Sequence, residues 1–135
     1  MEYEAQISQI KTDFLRSRKL LIAIGDETRQ LLLVALMEAG CDGVRVGGLT
    51  ARTHLSRPAV SHHLKILFDC GIVGVDRQGT KNYYYLNISD EFMSLYNLVS
   101  HIMRLDSEMK GLDAADITGD MNGPDSADAI NATDE

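Results

Sequence analysis

The chain has 135 residues, a formal net charge of −7 and 44% hydrophobic residues, enough for one modest core. No run of about 18 apolar residues occurs, so a membrane-spanning helix is excluded and no membrane partner is expected. The N-terminus MEYEAQISQI has neither a basic start nor an apolar secretory core, and a cytoplasmic location is expected.

Residues 5–24 carry Ile7, Ile10, Phe14, Leu21 and Ile24 at helical spacing, which predicts an amphipathic helix ended by Gly25. Asp26 is then a natural N-cap for a second helix, TRQLLLVALMEAG, stopped at Gly40. That helix is apolar nearly all round, as expected for the central helix of a small bundle. CDGVRV reads as a turn, and GGLTART as one or two turns of helix weakened by glycines. In LSRPAVSHHLKIL, Ser56 is the N-cap of a further helix and Pro58 lies in its first turn, where a missing N–H costs nothing. Gly71 stops this helix. GIVGVDRQGTKNYYYL is two β-rich runs joined at Gly79, a hairpin with a polar, basic tip. Ser89 caps a last helix, about 90–109, whose Phe92, Leu95, Val99, Ile102 and Met109 follow near-heptad spacing. Residues 111–135 hold seven acids and no base, and disorder is expected there. The fold expected is therefore mainly α with a two-stranded β-hairpin. A short helix, tight turn and capped helix make a helix-turn-helix, and the hairpin after it makes a wing.

The charge distribution matters more than its sum. Residues 1–110 are neutral, with 13 bases and 13 acids. Within 45–81 there are six bases (Arg45, Arg52, Arg57, Lys65, Arg77 and Lys81) against two acids, Asp69 and Asp76, a local +4. His54, His62 and His63 share that window. A basic patch on a neutral body suits phosphate binding. On the capped helix Val60, Leu64 and Leu67 fall on one face, which must be buried. His63 lies beside that face, a position for a half-buried packing residue. Ser61, His62 and Lys65 point the other way, with Arg57 and Pro58 at the exposed end. Such donors suit phosphate oxygens and purine acceptors in a major groove. Taken alone, Lys65 is an ordinary solvated helix residue. The ordered combination of capped helix, preceding short helix and basic hairpin tip is what points to nucleic acid.

GDETRQLLLVALMEAG followed by LTARTHLSRPAVSHHLKILFDCGIVGVDRQGTKNYYYL closely resembles the ArsR family of winged-helix repressors, over roughly residues 22–105. The resemblance implies a winged helix-turn-helix DNA-binding and dimerisation domain over 1–110, with the acidic tail at 111–135. It implies a homodimer built from the first and last helices, bound to a palindromic operator in double-stranded DNA and released by an inducer of unknown identity. Carried over residue by residue, the DNA-binding set is Ser56, Arg57, Pro58, Ser61, His62 and Lys65, with Arg77, Thr80 and Lys81 on the wing.

Many members of this family sense metals. The cysteines of arsenic-type members fall here on Arg45, Gly47 and Thr50, none of which supplies a thiolate. The Asp, His, His and Glu of zinc-type members, aligned on Leu95-Tyr96, fall on Ser89, Glu91, Ile102 and Leu105. One possible ligand is too few for zinc, which needs three or four. His101 is near but lacks partners in the sequence, and neighbours such as His62 and His63 chelate poorly on a helix. No metal and no cofactor are expected. Cys41 and Cys70 are expected as free thiols, with Cys70 in a packing role. No phosphate loop, catalytic triad signature or carboxylate-pair motif appears, so an enzyme is not expected. The alternative is a winged helix used as a protein-interaction module, against which the basic hairpin tip argues.

Overall fold

The computed structural model describes residues 2–88 and 90–111. Along it run α1 (Glu2–Ile24), α2 (Glu27–Ala39), α3 (Val46–Thr53), α4 (Arg57–Asp69), β1 (Val73–Gln78), β2 (Lys81–Leu86) and α5 (Asp90–Lys110). This is a winged helix-turn-helix. The expected Ser89 cap and all of the acidic tail beyond Gly111 lie outside the described residues.

The caps form as the sequence prescribes. Asp26 accepts from the Arg29 backbone N–H at 3.0 Å, and Ser56 accepts from the Ala59 N–H at 3.2 Å, with Pro58 in the first turn of α4. His54 ends α3 in the left-handed region (φ 62°), a conformation histidine tolerates better than most residues. The hairpin pairs Gln78 with Lys81, leaving a two-residue loop. Gly79 has φ 65° there, while Thr80 is not left-handed. That pattern is a type II′ turn, whose first central position calls for glycine.

Leu32, Leu36, Leu49, Val60, Leu64, Leu67 and Ile72 form the centre of the core, joining α2, α3, α4 and the start of the hairpin. Val60, Leu64 and Leu67 are at most 2% exposed, which fixes the rotational phase of α4. The helix α1 runs antiparallel along α5: Gln6 bonds Glu108 and Asp13 bonds His101.

Two expectations need correction. The second helix is not enclosed on all sides. Leu32, Leu33, Ala35 and Leu36 are buried, but Leu31, Val34 and Met37 are exposed, because α1, α3, α4 and β2 leave part of its surface uncovered. CDGVRV is also more than a turn. Val44 bridges Tyr84 through reciprocal backbone hydrogen bonds of 2.8 Å, which adds a one-residue third strand to the wing.

Candidate nucleic-acid interface

The interface is built on the outer face of α4 and on the wing beside it. Burial of Val60, Leu64 and Leu67 turns Ser61, His62 and Lys65 into solvent, and Ser56, Arg57 and Pro58 are exposed at the helix start. Arg77, Thr80 and Lys81 are exposed on the hairpin. Two clefts organise these residues. One, of about 350 Å³, lies between α4 and the wing and is lined by Ser61, Lys65, Phe68, Arg77 and Asn82. The other, of about 410 Å³, lies on the α3 side and is lined by Arg45, Arg57, Thr80, Lys81 and Asn82. Six of the nine expected residues line these two adjoining clefts, which share Asn82 and Tyr84, while Ser56, Pro58 and His62 are exposed on α4 and its cap and line neither.

Some of these groups are already engaged. The Ser56 oxygen is used by its cap, though its O–H can still donate. Arg77 Nε donates to the Gly79 carbonyl at 3.1 Å, which holds the side chain along the turn. Lys65 pairs with Asp69 at 3.2 Å. An exposed i,i+4 pair is worth only about 0.3–0.5 kcal/mol, so a phosphate competes for that ammonium easily.

His62 and His63 stand edge to face, 5.2 Å between ring centroids. They serve different sides. His62 is exposed, whereas His63 is half-buried with Nδ1 3.3 Å from Arg29 Nη1. A guanidinium has no acceptor, so Nδ1 must carry the lone pair in that bond.

Sequence reasoning missed the role of Arg29. Its side chain is 12% exposed and donates to the carbonyls of Ala23 (2.6 Å) and Ile22 (3.2 Å). Gln30 donates to Ile24 O at 2.7 Å. Together they cap the C-terminal end of α1, which has no basic residue of its own in its last turn. Through His63 this hub also reaches α4. Asp26, beside it, has its carboxyl held below the usual range by the Arg29 backbone N–H and the nearby Arg29 charge, which outweigh desolvation. A base three residues after an N-cap was the only sequence signal, and it is a weak one.

Asn82 and Arg45 were missed as well. Asn82 lines both clefts. Arg45 reaches the wing because Val44 is clamped to Tyr84.

His101 is the third correction. It does not lack a partner: Nδ1 lies 2.5 Å from Asp13 Oδ2, a contact between residues 88 apart in sequence. Asp13 is 4% exposed. Burial pushes its carboxyl up, but hydrogen bonds from His101 and Gln9 and the charges of His101 and Arg16 outweigh this and hold it below its ordinary value. Among the described residues no three His, Cys, Asp or Glu side chains are grouped to hold a metal ion. Arg45, Gly47 and Thr50 lie at α3, and Glu91, Ile102 and Leu105 along α5, without a shared donor set. Cys41 and Cys70 are free thiols, and burial pushes the Cys70 thiol up, away from the reactive thiolate. No helix among the described residues is long and apolar enough to cross a membrane.

The profile of the arsR family of bacterial regulatory proteins matches residues 26–75, which span α2 through the first part of the wing. A helix-turn-helix-type transcriptional regulator of Methanocaldococcus jannaschii is 32% identical over 87 residues, covering 64% of this chain and 94% of that protein. The transcriptional repressor SdpR of Bacillus subtilis is 30% identical over 87 residues, again 64% of this chain and 93% of the relative. Among solved structures, reduced HlyU from Vibrio cholerae matches with a TM-score of 0.53 at 27% identity, over 65% of this chain and 90% of its own. With its fold and these relatives, the chain belongs to the arsR family of DNA-binding transcriptional regulators, a family without enzymatic activity.

Proposed function

We propose that this protein is a homodimeric repressor that reads a palindromic operator with Ser56, Arg57, Pro58, Ser61, His62, Lys65, Arg77, Thr80 and Lys81, and that an inducer releases it. The observation that carries the reading is the division of α4. One face is sealed into the core by Val60, Leu64 and Leu67, and the opposite face presents Ser61, His62 and Lys65, with Phe68 and Asp69 at its C-terminal end, beside two clefts lined by bases. Arg57 and Lys81 supply phosphate contacts that set register, while Ser61, His62 and Lys65 are placed for base edges.

Dimerisation is supported by the paired outer helices. Phe14 on α1 and Met93, Tyr96, Val99, Ile102 and Met109 on α5 are exposed large apolar residues on elements that already pack together. Exposed apolar residues on two paired helices are what a partner copy would cover. A two-fold dimer places two copies of α4 about 10 base pairs apart on one side of a duplex. SdpR is named a repressor, which favours that sign of regulation here.

The test is selection of duplex sites by the full chain, followed by anisotropy titration of the selected site and a scrambled control at two salt concentrations. Sedimentation is measured at micromolar protein. A palindromic selected site, preference of roughly 10³-fold or more over the control, and a dimer support the proposal. A monomer, or equal affinity for both duplexes, overturns it.

A further inference from the structure

We propose that the cleft between the start of α3 and the wing is a phosphate seat, formed by Arg45, Arg57 and Lys81 around the bare backbone of Gly47 and Gly48. It rests on the DNA-binding reading above and adds Arg45 to the binding surface.

Three observations converge on it. The cleft, about 410 Å³, is lined by these three bases, and no carboxylate among the described residues lines it. None of the three forms an ion pair with a described residue, in contrast to Lys65 with Asp69. Three like charges gathered in one cavity without a counter-ion repel each other, and an anion between them relieves the repulsion. The floor is also open. Arg57 Nη1 lies 3.3 Å from where a Gly47 Cβ would be, so a side chain at 47 would crowd the guanidinium. A Gly48 Cβ would come within 2.5 Å of Val44 Cγ2. Glycine at 47 leaves the Arg57 head group its place against the backbone, and glycine at 48 leaves room for the Val44 side chain.

The start of α3 adds to the same field. Arg45 occupies the N-cap position and makes no side-chain cap bond, and Val46, Gly47 and Gly48 of the first turn line the cleft, at the positive end of the helix. The Val44–Tyr84 bridge fixes the spacing, because it ties the residue before Arg45 to the strand that carries Lys81. The chemistry recognised is a phosphoryl group with its charge shared over several oxygens. It can come from the DNA backbone that flanks the groove entered by α4, or from a free phosphorylated small molecule. The geometry favours the backbone, since Asn82 lines both this cleft and the one beside Ser61 and Lys65.

Arg45→Gln is the variant of choice, because Arg45 is exposed and contributes no cap bond, so the fold is retained and circular dichroism checks it. Wild type and variant are titrated with a selected duplex and with a scrambled duplex from 50 to 200 mM salt. The variant is expected to bind both duplexes more weakly by the same factor. Its salt slope should be flatter by up to about 0.9, so that the gap to wild type is about 3.5-fold smaller at 200 mM than at 50 mM. In a second arm, inorganic phosphate is compared with chloride at equal ionic strength by thermal denaturation. Stabilisation of wild type but not of the variant, with unchanged DNA slopes, assigns the seat to a free phosphate. Wild type binding DNA with the same slope and affinity as Arg45→Gln, and no selective stabilisation by phosphate, overturns the seat while leaving the DNA-binding reading intact. Failure of wild type to bind any duplex instead removes that reading, and the phosphate arm then decides the seat by itself.

Discussion

Replacing Leu64 and replacing Ser61 with His62 should separate folding from binding on a single helix. Leu64 is 2% exposed and packs in the cluster that holds Leu32, Leu36, Leu49 and Leu67. Leu64→Ala removes its buried methyl groups and leaves a void, a loss of roughly 2–5 kcal/mol. A domain of roughly 110 residues unfolds with about 0.23 kcal/mol/K of entropy, so a 3 kcal/mol loss lowers Tm by about 13 °C. Ser61 and His62 are exposed one turn away, and changes at such sites stay within about 0.5 kcal/mol, or about 2 °C. The same double substitution to Ala should weaken specific DNA binding by about 1–3 kcal/mol per lost base contact, roughly 5- to 150-fold each. Melting curves at one fixed protein concentration and anisotropy titrations below 20 °C supply both quantities. If the Ser61/His62 double variant melts as low as Leu64→Ala, or if Leu64→Ala melts within 2 °C of wild type, the assigned phase of α4 is wrong.

Three further outcomes follow from particular contacts. A Cβ on Gly74 would lie 2.4 Å from Tyr85 Cζ and 2.5 Å from its hydroxyl. Gly74→Ala should therefore lose about 1–3 kcal/mol in urea denaturation, and a second change, Tyr85→Leu, should recover part of it. Arg29→Met keeps the apolar stem but leaves the Ile22 and Ala23 carbonyls without their donor. A loss of about 1–3 kcal/mol is expected, and wild-type stability would refute the capping role. The Asp13 carboxyl is depressed below its ordinary value of 3.8, so its contribution is complete above that pH and is lost as pH falls through the folded value. The Tm advantage of wild type over Asp13→Asn at pH 5 should shrink on acidification below about 4. An advantage that grows with acid would reverse the sign of the argument.

The local rules carried most of the fold. Asp26, Ser56, Pro58 and Gly79 each act within a few residues of themselves, through caps and a turn, and such short-range signals are legible in a string of letters. The face of α4 was legible too, since three apolar residues at i, i+4 and i+7 leave one rotational answer. What escaped was everything decided by distant partners. Asp13 and His101 are ordinary helix residues until α1 and α5 are set side by side. Leu31, Val34 and Met37 match the buried residues of α2 in hydrophobicity, so composition alone cannot tell which side its neighbours cover. Arg45 reads as one more base in a turn until the Val44–Tyr84 bridge brings it against the wing.

The pairing of the first helix with the last also sets a timetable during synthesis. The contacts of α2, α3, α4 and the hairpin close within residues 26–86, so the reading head can be complete while α5 is still being made. The helix α1 emerges first and must wait for its partner. Some 86 residues separate the end of α1 from the end of α5, which at about 5–20 residues per second is roughly 4–17 seconds. For that interval Ile10 and the uncompensated Asp13 of α1 lack the helix that packs along them. A chain truncated before residue 90 should therefore hold a protease-resistant centre and a cleavable N-terminal arm, and a chain that includes α5 should protect that arm.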